Sequence, residues 1–148
     1  MGLDLTLAPI RWVGLDGNMP HVEWLVEIKE GKFGSGSWWL AYTRLDLNRN
    51  YELFARFGSG REEYQCKEIK TFPIPDKVKF QWYEDEGIKT RTKDHYGTPL
   101  TYTLASEIKR VLPKRGKFYQ KKLYAWNKAV IAYIHELPDN APIVLWWH

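Results

Sequence analysis

The sequence predicts an α+β fold in one domain spanning 1–148: an antiparallel sheet of four to six strands, with a C-terminal amphipathic helix packed on one face. Three observations predict it. Apolar residues alternate with polar ones in several stretches before residue 85, the period lengthens to helical spacing after about residue 102, and an apolar β run closes the sequence. A chain of 148 residues suits one domain, and at that size roughly 70% of the unfolded chain's surface is buried without disulfides or metals.

MGLDLTLAPIRW (1–12) alternates Leu3, Leu5 and Leu7 with Asp4 and Thr6 and reads as a strand; it has neither the charged leader nor the apolar run of a signal peptide. Turn residues crowd GLDGNMP (14–20). In HVEWLVEIKEG, Val22, Trp24, Val26 and Ile28 share one face and Glu23, Glu27 and Lys29 the other, the clearest strand pattern in the chain. After the Gly/Ser loop KFGSGS (32–37), Trp38, Leu40 and Tyr42 resume an extended phase. Leu47, Tyr51, Phe54 and Ala55 then recur at helical spacing, predicting a helix from about 49 to 57 that Asn48 or Asp46 caps and Gly58 closes. TFPIPDK (71–77), with two prolines, reads as a surface loop. KVKFQWYED (77–85) alternates Val78, Phe80 and Trp82 against Lys77, Lys79 and Gln81 as a further strand, and GIKTRTKDHYGTPLTY (87–102) reads as a long loop with room for a short hairpin arm.

From Tyr102 the expectation turns helical, with Leu104, Ile108, Val111 and Leu112 apolar and Pro113 ending the run. A second helix is expected from about 115 to 137. One stripe holds Tyr119, Leu123, Trp126, Val130, Ile134 and Leu137, and the opposite one Lys114, Lys117, Lys121, Lys128 and His135. Tyr124 borders the basic ridge, while Ala125, Ala129 and Ala132 make a small-residue flank against which another element can pack closely. ELPDNAP (136–142) is a turn and IVLWWH (143–148) a final strand.

Charge is unevenly spread along this chain. Between Ile108 and His135 lie eight basic residues (Lys109, Arg110, Lys114, Arg115, Lys117, Lys121, Lys122 and Lys128) and no acidic one, so the rest sums to −4 against a whole-chain net charge of +4. Such polarity presents a positive surface to an anionic partner. Aromatic residues make up 16% of the sequence; a surplus of that kind reaches the surface, where large rigid rings favour recognition. The binding candidates are therefore Lys114, Arg115, Lys117, Lys121, Tyr124 and Lys128. A lysine-rich surface reads base edges poorly, so nucleic acid bound there would be recognised with little regard to sequence.

Catalytic signals are sparse. Ser35, Ser37, Ser59 and Ser106 sit in no G-x-S-x-G elbow, and Gly58, Ser59, Gly60 and Arg61 follow a helix instead of preceding one, the wrong polarity for a phosphate cradle. His21, His95, His135 and His148 are scattered and Cys66 is the single cysteine, so no metal site and no cofactor is expected; a lone cysteine also fits a reducing compartment. Asp94 and His95 form the one adjacent acid and imidazole in a polar loop and are the candidate catalytic pair. The acidic run Glu84, Asp85 and Glu86 suits a hard cation or, more simply, a solvated strand end. No run approaches the ~18 apolar residues of a membrane span.

Several pieces in order resemble a family of small uncharacterised bacteriophage and prophage proteins. The matching residues are Met1, Gly2 and Asp4; Val22 and Glu23; Arg49, Tyr51, Leu53 and Phe54; and Asp94, His95, Leu100 and Thr101. The chain departs from that pattern in having Thr6 where a His is usual, Asp94 directly before His95, and FARFGSG where the family has an Ala-Gly-Val turn. The resemblance carries no activity and implies context only, a phage accessory protein in a bacterial cytoplasm. Together these readings lead to a non-enzymatic binding protein that engages a host macromolecule, such as a host protein, or an anionic ligand, nucleic acid or nucleotide, through its basic aromatic surface and blocks or redirects a host process such as defence. The alternatives are a small enzyme acting on nucleotides or phosphoesters with His95 as base, and a sequence-neutral nucleic-acid binder. The sequence leaves the oligomeric state open.

Overall fold

The computed structural model describes residues 2–12, 24–25, 38–40, 44–58, 67–74, 79–84 and 87–148. The turns expected at 14–20 and 32–37, most of the strand at 22–28, Cys66, and Asp85 and Glu86 of the acidic run lie outside those residues. The fold is α+β, built on a five-stranded antiparallel sheet.

That sheet orders β5 (Leu45–Asp46), β1 (Leu5–Pro9), β10 (Pro142–Trp147), β9 (Thr101–Leu104) and β6 (Phe72–Pro73). β1 runs antiparallel to β10 with Leu5 opposite Trp147 and Leu7 opposite Leu145. Every residue of β1 is buried, because its two faces meet different cores. Leu5, Leu7, Ile143 and Leu145 face the helices, whereas Ala8, Val144 and Tyr102 gather with Phe80 and Leu100 on the other side. A second sheet orders β3 (Trp24–Leu25), β2 (Arg11–Trp12), β4 (Trp38–Leu40), β7 (Lys79–Glu84) and β8 (Gly87–Arg91). Its β4–β7 pair is parallel, a crossover that the alternation pattern alone does not reveal.

Three strands lie where the sequence reading expected a loop or a helix. Thr101–Leu104 is strand, not the start of a helix: Tyr102 and Thr103 pair with Val144 and Ile143, and aromatic and β-branched side chains suit that pleated, buried surface. Phe72–Pro73 is an edge strand, a place where proline's missing N–H costs no ladder bond. Gly87–Arg91 pairs with β7 in the segment read as a loop.

Helix α1 (Tyr51–Arg56) is capped by Asn50, whose side chain accepts from Leu53 N–H at 3.0 Å, and Gly58 leaves it at φ 93°. The cap is therefore Asn50 and neither Asn48 nor Asp46. Phe54 is fully buried, edge-on to Trp147 with ring centroids 5.8 Å apart. α2 (Ala105–Val111) packs on α4 (Ala125–His135).

The long helix expected from 115 to 137 is two helices, α3 (Lys117–Lys122) and α4, separated by Leu123 and Tyr124 in extended conformation. Two tertiary contacts hold the break. Asn50 Nδ2 donates to the Lys122 carbonyl, and the buried Asn127 amide donates to Asn48 O at 2.9 Å and accepts from Asn48 N at 2.8 Å, pairing with that backbone as a strand would. The break rephases α4. Its buried positions are Asn127, Val130, Ile131 and Ile134, and Trp126, expected in the apolar stripe, is 57% exposed with its indole N–H on the Asp46 carbonyl.

Candidate functional site: a basic and aromatic corner

The break between α3 and α4 turns a straight ridge into a corner. Gly116 precedes α3, and Gln120 Nε2 fixes its first turn by donating to the Lys114 carbonyl at 2.6 Å. Lys117 and Lys121, one turn apart, therefore project from the same side of α3, followed by Tyr124 at 85% exposure.

The basic run separates into two groups by what each residue meets. Lys109 binds Asp139 at 2.8 Å, Arg110 binds Glu107 at 2.6 Å, Lys114 lies 3.7 Å from Glu136 and Lys122 3.9 Å from Glu52. The Arg110 bond holds the Glu107 carboxyl below its ordinary range and the guanidinium above its own. Arg115, Lys117, Lys121 and Lys128 have no acidic partner among the described residues. Of the expected binding residues, Arg115, Lys117, Lys121 and Lys128 are therefore left without an acidic partner among the described residues and Tyr124 is exposed, while Lys114 is engaged by Glu136. His135, expected on the outer ridge, is half-buried with Nε2 2.8 Å from the Leu112 carbonyl and its ring edge-on to Tyr119. It belongs to the packing between α2 and α4.

Asp94 and His95 do not form an acid–imidazole pair. The Asp94 carboxylate accepts from the backbone N–H of Tyr96 and Thr98 at 2.9 and 3.0 Å, closing a turn that Gly97 completes at φ 80°. The exposed His95 ring instead meets the Tyr96 ring edge-on.

A polar cluster that the motif reading did not assemble lies where β1 and β10 end. Asp4 and His148 exchange both backbone hydrogen bonds. Arg49 grips the Asp4 carboxylate through Nε at 3.1 Å and a terminal nitrogen at 2.7 Å, and this bond holds the carboxyl below its ordinary range. Gly2 lies against the Arg49 guanidinium so closely that a Cβ there would meet it at 1.9 Å. The buried Thr6 hydroxyl donates to Asp46, so its oxygen accepts from His148 Nε2 at 2.9 Å. Tyr96 reaches the Gly2 carbonyl and His95 N–H the Trp147 carbonyl. Gly2, Asp4, Arg49 and His95, far apart in the chain, are thus neighbours in space. Thr6 is fully buried, so its hydroxyl orients His148 and does not meet a substrate.

Among the described residues, no group of three or more His, Cys, Asp or Glu side chains is placed to hold a metal ion, and no helix is long and apolar enough to cross a membrane. No family model matches the chain, and neither a curated protein nor a solved structure resembles it at a significant level.

Proposed function

We propose that this protein works by binding, without catalysis, an anionic macromolecule of the bacterial host at the α3–α4 corner, as an accessory protein of phage type that inhibits or redirects a host process. The single observation that carries this reading is a set of cations without an acidic partner among the described residues, Arg115, Lys117, Lys121 and Lys128, in the same stretch of chain as Tyr124, which is 85% exposed. Cations that find no acid within the fold keep their charge available to a partner, and a neighbouring ring adds contact area at low entropic cost. The turn-closing role of Asp94 argues against the phosphoester reading, because it leaves His95 without an orienting carboxylate.

The test is capture from bacterial lysate by wild-type protein and by the Lys117→Glu, Lys121→Glu, Lys128→Glu triple variant, each with and without nuclease. A partner held by wild type, insensitive to nuclease and lost in the triple variant supports a protein target; loss on nuclease treatment identifies nucleic acid. Identical capture by the triple variant would overturn the assignment of the corner.

A further inference from the structure

Tyr124 stands in solvent on a backbone that the fold clamps from both sides. Its side chain is 85% exposed at the break between α3 and α4. Before it, Asn50 Nδ2 donates to the Lys122 carbonyl and Leu123 is buried; after it, the Asn127 amide pairs with the Asn48 backbone. The ring therefore projects from a fixed point of the chain, and a partner that covers it meets little loss of backbone freedom.

Cations flank that point along both helices. The Lys128 N–H donates to the Tyr124 carbonyl at 2.9 Å, so Lys128 stands one helical turn further along α4, where side chains four residues apart are surface neighbours. Lys117 and Lys121 are the corresponding pair on α3, both exposed, and Lys121 lies three residues before Tyr124. None of these three lysines meets an acid among the described residues.

We propose that the corner takes a single-stranded nucleic acid, with its phosphates on Lys117, Lys121 and Lys128 and an unpaired base stacked on the Tyr124 ring. The proposal rests on the reading of the corner as the binding surface and narrows its anionic macromolecule to one class. The lysines call for anions repeated along a chain, and the ring calls for a flat π face; every residue of a nucleic-acid strand supplies both. An acidic protein surface answers the charge but has no repeating π face. An unpaired strand fits better than a duplex, because bases stacked inside a duplex offer no face to a ring projecting from the protein. Lysine ammoniums are point charges that follow a backbone without reading base edges in bidentate fashion, so the strand is held with little regard to its sequence.

Fluorescence anisotropy of a labelled oligothymidylate of about 20 nucleotides, titrated with the full chain at several salt concentrations, tests this directly. The strand is expected to bind with a dissociation constant of roughly 1–100 μM, and a duplex of the same length several-fold more weakly. Tyr124→Ala is expected to keep the circular dichroism spectrum and weaken strand binding about tenfold, with the salt dependence unchanged. Tyr124→Phe keeps the ring face and should retain wild-type affinity. Lys117→Gln and Lys121→Gln should each reduce the slope of log affinity against log salt by about 0.7. No binding of the strand at about 100 μM protein would overturn the proposal, as would wild-type affinity in Tyr124→Ala or a duplex bound as tightly as the strand. Nuclease-insensitive capture of a protein from lysate, lost in the triple lysine variant and accompanied by no affinity for the oligonucleotide, would overturn it in favour of an acidic protein while leaving the corner as the binding surface. Strand binding unchanged in both lysine variants would instead remove the corner itself.

Discussion

The α3–α4 corner and the polar cluster at the β1–β10 end use similar residue types to opposite ends. In the cluster, Arg49 is taken up by Asp4, and Thr6 stands between Asp46 and His148; the polar groups satisfy one another and hold the chain's distant segments together. At the corner, Lys117, Lys121 and Lys128 find no acid among the described residues, and Tyr124 is left almost wholly in solvent. A charged or aromatic residue therefore says little by its type alone. What separates scaffold from candidate site is whether the fold itself supplies the partner.

The contrast can be broken at its supports. Asn127→Ala removes the amide that pairs with both backbone groups of Asn48. Leaving those groups unmatched next to a new cavity is expected to cost about 3 kcal/mol in urea denaturation, and to disorder the corner with it; an effect below about 1 kcal/mol would mean that the break between α3 and α4 is held elsewhere. Thr6→Val keeps the shape of a buried strand residue but strips Asp46 and His148 of their common partner. A loss of about 1–3 kcal/mol is expected, read by the same titration, with binding at the corner unchanged. Trp126→Ala is expected to cost only about 1 kcal/mol, the net worth of one indole hydrogen bond, because the ring is already half in water; a loss of 3 kcal/mol or more would return Trp126 to the core.

Acid titration sharpens the same comparison. The Asp4 and Glu107 carboxyls sit below their ordinary range, chiefly through their bonds to Arg49 and Arg110. Groups lowered in the folded state contribute stability that is complete above the unfolded carboxylate range and disappears as pH falls through the folded values. Thermal melting should therefore weaken below the ordinary carboxylate range. Asp4→Asn should flatten part of that fall, whereas the triple lysine variant should leave its position unchanged.

Periodicity made some elements readable and hid others. β1, β7, α1 and β10 follow from alternation, helical spacing and Gly58, since each pattern runs along the element's own length. The split between α3 and α4 follows from Asn50 and Asn127 reaching across to a carbonyl and a backbone more than seventy residues away in sequence, and no local pattern encodes such a contact. Trp126 was misplaced for that reason: extending one helical phase through Leu123 and Tyr124 turned an exposed ring inward. The basic corner was legible as a charge run, but the fold alone separates Lys114 and Lys122, which meet acids, from Lys117 and Lys121, which meet none among the described residues. The cluster at Asp4, Arg49 and His148 escaped because its members lie far apart in the chain.

The position of β10 has a consequence for how the protein is made. β1 needs two neighbours, yet β10, which pairs along its whole length from Leu5 to Pro9, is translated more than 130 residues later. Throughout that interval a nascent strand carrying Leu5, Leu7 and Ala8 has an open edge, the circumstance in which chains misassociate with one another or are held by chaperones. Closure of the main sheet therefore waits until Pro142–Trp147 has left the ribosome, and whatever shields β1 until then guards the chain against misassociation.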